Sequence, residues 1–140
     1  MESMWWLLLL ISCAPVTSFE TDIHPIVTSN CSVACHGGGF YEGQPPDFGG
    51  YGSDATEAYE AIVEVPSEDV PSLNLIEPGD PDASYLWHKL NGTQADVGGE
   101  GEGMPSAYSL SEGSGTVWNY PLDRVALELI ELWIEEGAPR

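Results

Sequence analysis

Cys31-Ser32-Val33-Ala34-Cys35-His36 is the stretch on which the reading of this 140-residue chain turns. Two thiols followed at once by an imidazole can hold a porphyrin at three points. Each thiol can add to one vinyl group, and the imidazole can then ligate the iron, which is the chemistry of covalent haem c attachment. The common spacing puts two residues between the cysteines, and this chain has three. A bulged turn has to absorb the extra residue if both sulfurs are to reach their vinyl positions. A Cys31–Cys35 disulfide is the other use that an exported protein makes of such a pair, but it leaves His36 without a role.

A tightly held haem iron takes a second axial ligand on the face away from the first. Met1 and Met4 lie in the N-terminal apolar segment, so Met104 is the one thioether in the body of the chain. It sits in a glycine-rich loop ahead of Pro105, whose ring stiffens the backbone behind it. A thioether sulfur is a soft donor that favours ferrous iron and so raises the reduction potential. The plain alternative for a lone methionine is gap-filling in the core. His88, between Trp87 and Lys89, is the rival ligand, and His24 is poorly placed because it lies close to the attachment motif.

The formal net charge is −20, with 23 acidic residues against Lys89, Arg124 and Arg140. Three scattered cations cannot build a phosphate-neutralising patch, which excludes nucleic acid as a partner. Docking to anionic lipid is disfavoured for the same reason. A basic redox partner would be steered toward such a surface, while a solvated acidic coat needs no partner at all.

Residues 1–13 carry the apolar run Trp5-Trp6-Leu7-Leu8-Leu9-Leu10-Ile11, too short to span a bilayer but suited to the core of a secretory signal. The run ends in Leu10-Ile11-Ser12-Cys13, which resembles a bacterial lipoprotein box with Cys13 as the lipidated residue. The expectation is a signal peptide over 1–13, a tether over 14–21 and one domain over 22–140. That places the protein in the periplasm or on the outer membrane of a bacterium, touching membrane only through an N-terminal lipid anchor.

Helical signals dominate the rest. The first element is expected near Pro25, a residue tolerated at the start of a helix. Asp54-Ala55-Thr56-Glu57 has the form of a capping box, opening a helix with Ala58, Ile62 and Val65 on one face and Pro66 beyond its end. Asp80-Pro81 marks a further start, leading through Tyr85, Leu86 and Leu90 to Asn91-Gly92. The clearest helix opens at Pro121 and closes at Gly137, with Leu122, Val125, Ala126, Leu129, Ile130 and Trp133 at helical spacing. Glycine-rich loops fill 37–53 and 92–116. No stretch alternates long enough to argue a strand. The reading is all-α with long loops.

Several of these pieces together resemble one family. They are the Cys31–His36 motif, Glu77-Pro78-Gly79-Asp80-Pro81 leading into Ser84-Tyr85-Leu86-Trp87-His88-Lys89-Leu90, the Met104-Pro105 pair, and Ile130-Glu131-Leu132-Trp133-Ile134 ending in Gly137-Ala138. Over residues 22–138 the chain is similar to class I c-type cytochromes, most of all to the cytochrome c-like domains of exported bacterial proteins. The resemblance implies a small cytochrome c-like fold, helices and long loops wrapped around one covalent haem c. Cys31 and Cys35 would carry the thioethers, and His36 and Met104 would bind the iron. It also implies that the first and last helices cross, bringing Ile26 or Val27 near Leu129 and Trp133. The function that follows is one-electron transfer to a redox partner protein in an exported chain, without enzymatic turnover.

Other uses of these residues stay open on sequence alone. Phe40, Tyr41, Tyr59, Trp118 and Tyr120 could pack on the ring or donate to its propionates, or could be ordinary core residues. A haem sensor or peroxidase-like protein would need a labile sixth position and a distal acid–base pair. Cys31, Cys35 and His36 with His24 or His88 could instead hold zinc, or the cysteines could staple a lipoprotein module without haem. The segment Asp96–Glu102 is acidic, but its glycines give no side-chain oxygens for calcium.

Overall fold

The computed structural model describes residues 16–37, 46, 48, 54–105 and 122–140, with only the backbone path at 33–35. The N-terminal apolar run with Cys13, the aromatics Phe40, Tyr41, Trp118 and Tyr120, and Pro121 lie outside the described residues, as does the side chain of Cys35.

Residues 19–36 form one helical run, α1, in three pieces: Phe19–Ile23, His24–Val27 and Thr28–His36. The outer pieces are wound as π-helix, which is wider than the α-helical middle piece. Pro25 lacks an N–H, and in a regular helix its ring would meet a carbonyl one turn back. The wide turn ahead of it relieves that conflict.

The sequence places this start near Pro25 and gives 14–21 to a tether; the structure corrects both. The chain is already packed at Thr17, whose N–H and hydroxyl both donate to the Glu136 carboxylate. Phe19 is fully buried, and its N–H donates to the carbonyl of Pro139 at 3.0 Å. A single apolar residue in a polar stretch has no periodicity to announce it.

The second helix, α2 (Ala55–Glu60), starts where the sequence puts it. The Asp54 carboxylate accepts from the N–H of Thr56 at 2.8 Å, and that bond holds its pKa below the ordinary carboxylate value. α2 stops well short of Pro66, however. Glu64 adopts a positive φ of 58°, and the chain from 61 on pairs instead through isolated bridges, Val63 with Ile76 and Pro66 with Asn74. Ala58 and Ile62 still reach the core as expected.

Asp80 caps a short 3-10 turn, Pro81–Ala83, and Ser84 is extended before α3 (Tyr85–Asn91) begins. The single helix expected from Asp80 is thus two pieces. Ser84 explains the break: it is fully buried, and its hydroxyl donates to the Asp80 carbonyl and accepts the N–H of Glu77. α3 closes on Gly92, whose φ of 70° lets the N–H of Thr93 reach the His88 carbonyl at 2.9 Å.

The last helix, α4 (Arg124–Glu135), is capped by Asp123, which accepts from the N–H of Ala126 at 2.9 Å. Gly137 at φ 94° ends it, and the N–H of Ala138 closes back on the Trp133 carbonyl. Leu122, Ala126, Ile130, Trp133 and Ile134 are buried, but Val125 is 74% exposed. Val125 therefore leaves the apolar face assigned to it, because the stripe runs one position further round the helix.

The described residues are mostly helical and contain no strand, in agreement with the all-α reading. Their core joins Phe19, Ile23 and Val27 of α1 to Ile130, Trp133 and Ile134 of α4, with Ala58, Ile62 and Leu90 against them. Trp133 is 1% exposed, packs on Phe19 at 5.4 Å between centroids and donates its indole N–H to the Pro139 carbonyl at 2.8 Å. Trp133→Ala should lower the unfolding free energy by about 3–5 kcal/mol. Trp133→Phe, which keeps most of the packing but drops the donor, should show a clearly smaller loss in the same denaturant titration.

Candidate functional site

α1 ends at His36, and its imidazole is fixed by the loop that follows. Nδ1 lies 3.0 Å from the carbonyl of Pro46. A carbonyl can only accept, so Nδ1 carries the proton and the lone pair of the neutral ring is on Nε2. An imidazole held in this way through one nitrogen is set up to ligate a metal through the other. Phe48 completes the setting: its N–H donates to the His36 carbonyl at 2.7 Å, and its ring stands edge-on to the imidazole at 5.5 Å.

His36 opens onto a cavity of about 430 Å³ that also includes Met104 in its wall. The volume falls within the roughly 300–1,000 Å³ typical of cofactor and ligand sites. The two proposed iron ligands come from segments far apart in sequence and meet at one space. Ala61, Val65 and Leu75 supply an apolar wall from the bridged loop after α2. Tyr85, Leu86 and Lys89 supply another from α3, and Glu68 and Asp69 bring carboxylates to the lining.

Met104 is held by the end of α3. Its N–H donates at 2.8 Å to the carbonyl of Lys89, in the last turn of the helix, which also takes the N–H of Gly92 at 3.4 Å. It is joined to Pro105 by a cis peptide bond.

The cysteines are not both at the cavity. Cys31 lines a separate apolar void of about 20 Å³ with Ile26, Val27, Ile130 and Trp133. Phe48 and Leu86 line both the void and the cavity, so they form the wall between Cys31 and the larger space. The backbone carries Cys35 four residues on from Cys31 along the same helical run.

His88 does not line the cavity. Its Nε2 faces the Asp82 carbonyl at 2.8 Å and its Nδ1 faces the Thr93 hydroxyl at 2.9 Å, so the ring ties the 3-10 turn before α3 to the chain that follows it. His24 packs against Phe19. Tyr59, a candidate for the ring wall, instead donates its hydroxyl to the Ala138 carbonyl at 2.9 Å and packs on Phe19 and Arg140. That assignment is corrected: Tyr59 secures the C-terminal tail.

Sequence reasoning passed over Tyr85 as a site residue. Its ring is 3% exposed, lines the cavity and donates its hydroxyl to Asp69 at 3.0 Å. Gly99 lies so close that a Cβ there would stand 2.7 Å from the ring. Burial, aided by the Asp69 carboxylate, raises the Tyr85 pKa from 10.0 to about 12. Among the described residues no group of three or more His, Cys, Asp or Glu side chains could hold a metal ion.

No protein-family model matches the chain, and neither a curated protein nor a solved structure matches it. The chemistry of the site therefore rests on its own residues.

The pKa of Tyr85 has a consequence for stability. The folded state keeps the phenolic proton longer than the unfolded chain, so this contribution is complete below pH 10 and lost as pH rises toward 12. Unfolding free energies measured across that range should fall more steeply for the wild type than for Tyr85→Phe. Parallel curves would show that Tyr85 is not the group responsible.

Proposed function

We propose that the chain is an exported mono-haem c-type cytochrome, a one-electron carrier with a cytochrome c-like fold around the 430 Å³ cavity. The observation that carries the reading is the convergence of His36 and Met104 on that cavity, with the His36 ring already held through Nδ1 by the Pro46 carbonyl. Ordinary core residues need no such arrangement.

His36 would bind iron through Nε2 and Met104 through its thioether. Cys31 and Cys35 would add across the two vinyl groups, sulfur to one carbon and hydrogen to the other, with nothing leaving. For Cys31 this requires Phe48 and Leu86 to shift so that the void and the cavity merge. Haem iron supplies reversible ferric–ferrous exchange when bound, and two strong axial ligands leave no position for substrate. The protein's own part is to fix the imidazole, hold the thioether and set apolar side chains such as Phe48, Val65, Leu75 and Leu86 against the ring.

Export follows from the apolar run and Leu10-Ile11-Ser12-Cys13, with Cys13 as the lipid attachment point. Among the described residues no helix is long and apolar enough to cross a membrane. With a net charge of −20, a redox partner carrying a basic face would associate faster at low ionic strength and more slowly in salt.

The test is a visible spectrum, oxidised and reduced, with an intact mass, on protein matured alongside the haem c attachment machinery. The expected result is one covalent haem, sharp reduced bands and a far-red sulfur-to-iron band in the oxidised form. Met104→Ala should keep the covalent haem, lose the far-red band and have a lower reduction potential. A colourless wild type at the mass of the bare polypeptide overturns the proposal.

A further inference from the structure

Among the described residues Lys89 is the one lysine or arginine in the lining of the cavity, and its ammonium is spent on backbone. Nζ donates to the carbonyl of Glu100 at 2.8 Å and to that of Glu102 at 3.1 Å. It also stands 5.9 Å from the centroid of the Tyr85 ring. The Lys89 carbonyl meanwhile accepts the N–H of Met104 at 2.8 Å. One residue thus grips three points of the segment 100–104, two with its side chain and one with its main chain.

The choice of partners is informative. In a chain with 23 carboxylate side chains, an ammonium has many anions to pair with at the surface. Lys89 points instead to two carbonyls that alternate along the loop. A carboxylate pair would fix side chains, whereas bonds to alternate carbonyls fix the course of the backbone itself. Charge-assisted bonds of this kind are stronger than neutral ones.

Gln94 reinforces the same loop, accepting the N–H of Gly99 on its carbonyl and donating its amide to the Gly101 carbonyl at 2.8 Å. Gly101, at φ 73°, keeps the backbone compatible with that approach. A Cβ at Gly101 would stand 3.6 Å from Nζ, which shows how closely the ammonium sits against the loop.

We infer that Lys89 is the positioning residue for Met104: its ammonium clamps the Glu100–Glu102 backbone so that the thioether is presented to the cavity. The inference rests on the reading of Met104 as an iron ligand. The clamp itself is a property of the polypeptide and can be measured without that reading.

The experiment compares wild type, Lys89→Met and Lys89→Arg as full chains, first by amide hydrogen exchange over 98–105. Lys89→Met keeps the apolar stem and removes the donors; Lys89→Gln gives the same contrast if circular dichroism shows that Lys89→Met has unfolded. Loss of the two bonds should speed exchange across that segment by roughly tenfold or more, with α4 unchanged. Lys89→Arg, which keeps donors in reach, should restore most of the protection. Equal exchange in wild type and Lys89→Met overturns the clamp, whatever the protein binds.

The oxidised spectrum of the haem-loaded proteins then separates the two ideas. A far-red band that is present in wild type, weakened in Lys89→Met and recovered in Lys89→Arg supports the full inference. A loosened loop with the band unchanged overturns the positioning role. A loop loosened by Lys89→Met, together with a haem-loaded wild type that has no such band, overturns Met104 as ligand and leaves the clamp standing.

Discussion

Phe19 pressed against Trp133 is the contact on which the rest of the architecture depends. Both rings are buried, and the same Pro139 carbonyl accepts the Phe19 N–H and the Trp133 indole N–H. An aromatic pair of this kind contributes about 0.5–1.5 kcal/mol beyond its burial, and here the shared acceptor adds direction. It fixes the start of α1 against the end of α4. The helical run then has to carry Cys31 into the void beside Trp133 and His36 out to the cavity. The position of the imidazole is set at the other end of its own helix.

A chain this acidic cannot assemble its site from ion pairs. Among the described residues the two salt bridges, Arg124–Glu128 and Arg140–Glu60, are on the surface, where such pairs contribute little. The work falls to backbone groups. Pro46 orients His36, the end of α3 receives Met104, and the tail carbonyls of Ala138 and Pro139 receive Tyr59, Phe19 and Trp133. Main-chain acceptors do not titrate in the ordinary range and are not screened as surface charges are, so an anchor of this kind tolerates salt that would dissolve an ion pair.

Much of this was legible in the sequence, and the failures have physical causes. α4 announces itself because apolar side chains, four of them buried, recur at helical spacing over a long stretch. Asp54 and Asp80 read correctly as caps because a short acidic side chain has one obvious use at a helix start; Asp123, which caps α4, did not, because Pro121 two residues earlier offers a competing start signal. Helix lengths were less visible: α2 ends early because the bridges of residues 63–76 compete for its backbone, a tertiary effect. α1 was misjudged at its start, where π winding breaks the 3.6-residue period and Phe19 stands alone.

At the site, chemistry alone made His36 and Met104 candidates, and both line one cavity, but the groups that support them gave no such signal. Pro46 and Lys89 act wholly or partly through main-chain atoms, which carry no residue-type signal. Tyr85 was hidden in plain view as one more apolar position on α3. Its neighbour Gly99 looked like loop filler until the ring was seen against it.

The Pro139 carbonyl also bears on the order in which the molecule can be made. Synthesis runs from the N-terminus, so Phe19 and the Cys31–His36 stretch exist long before Trp133, Ala138 and Pro139. Until those last residues appear, Phe19 lacks its tryptophan partner and its backbone acceptor and has the ring of Tyr59 to pack on. The two cysteines and the histidine are therefore made well before the contacts that hold their helix against α4. Arrival of residues 133–139 closes the void around Cys31 and seals it beside Trp133.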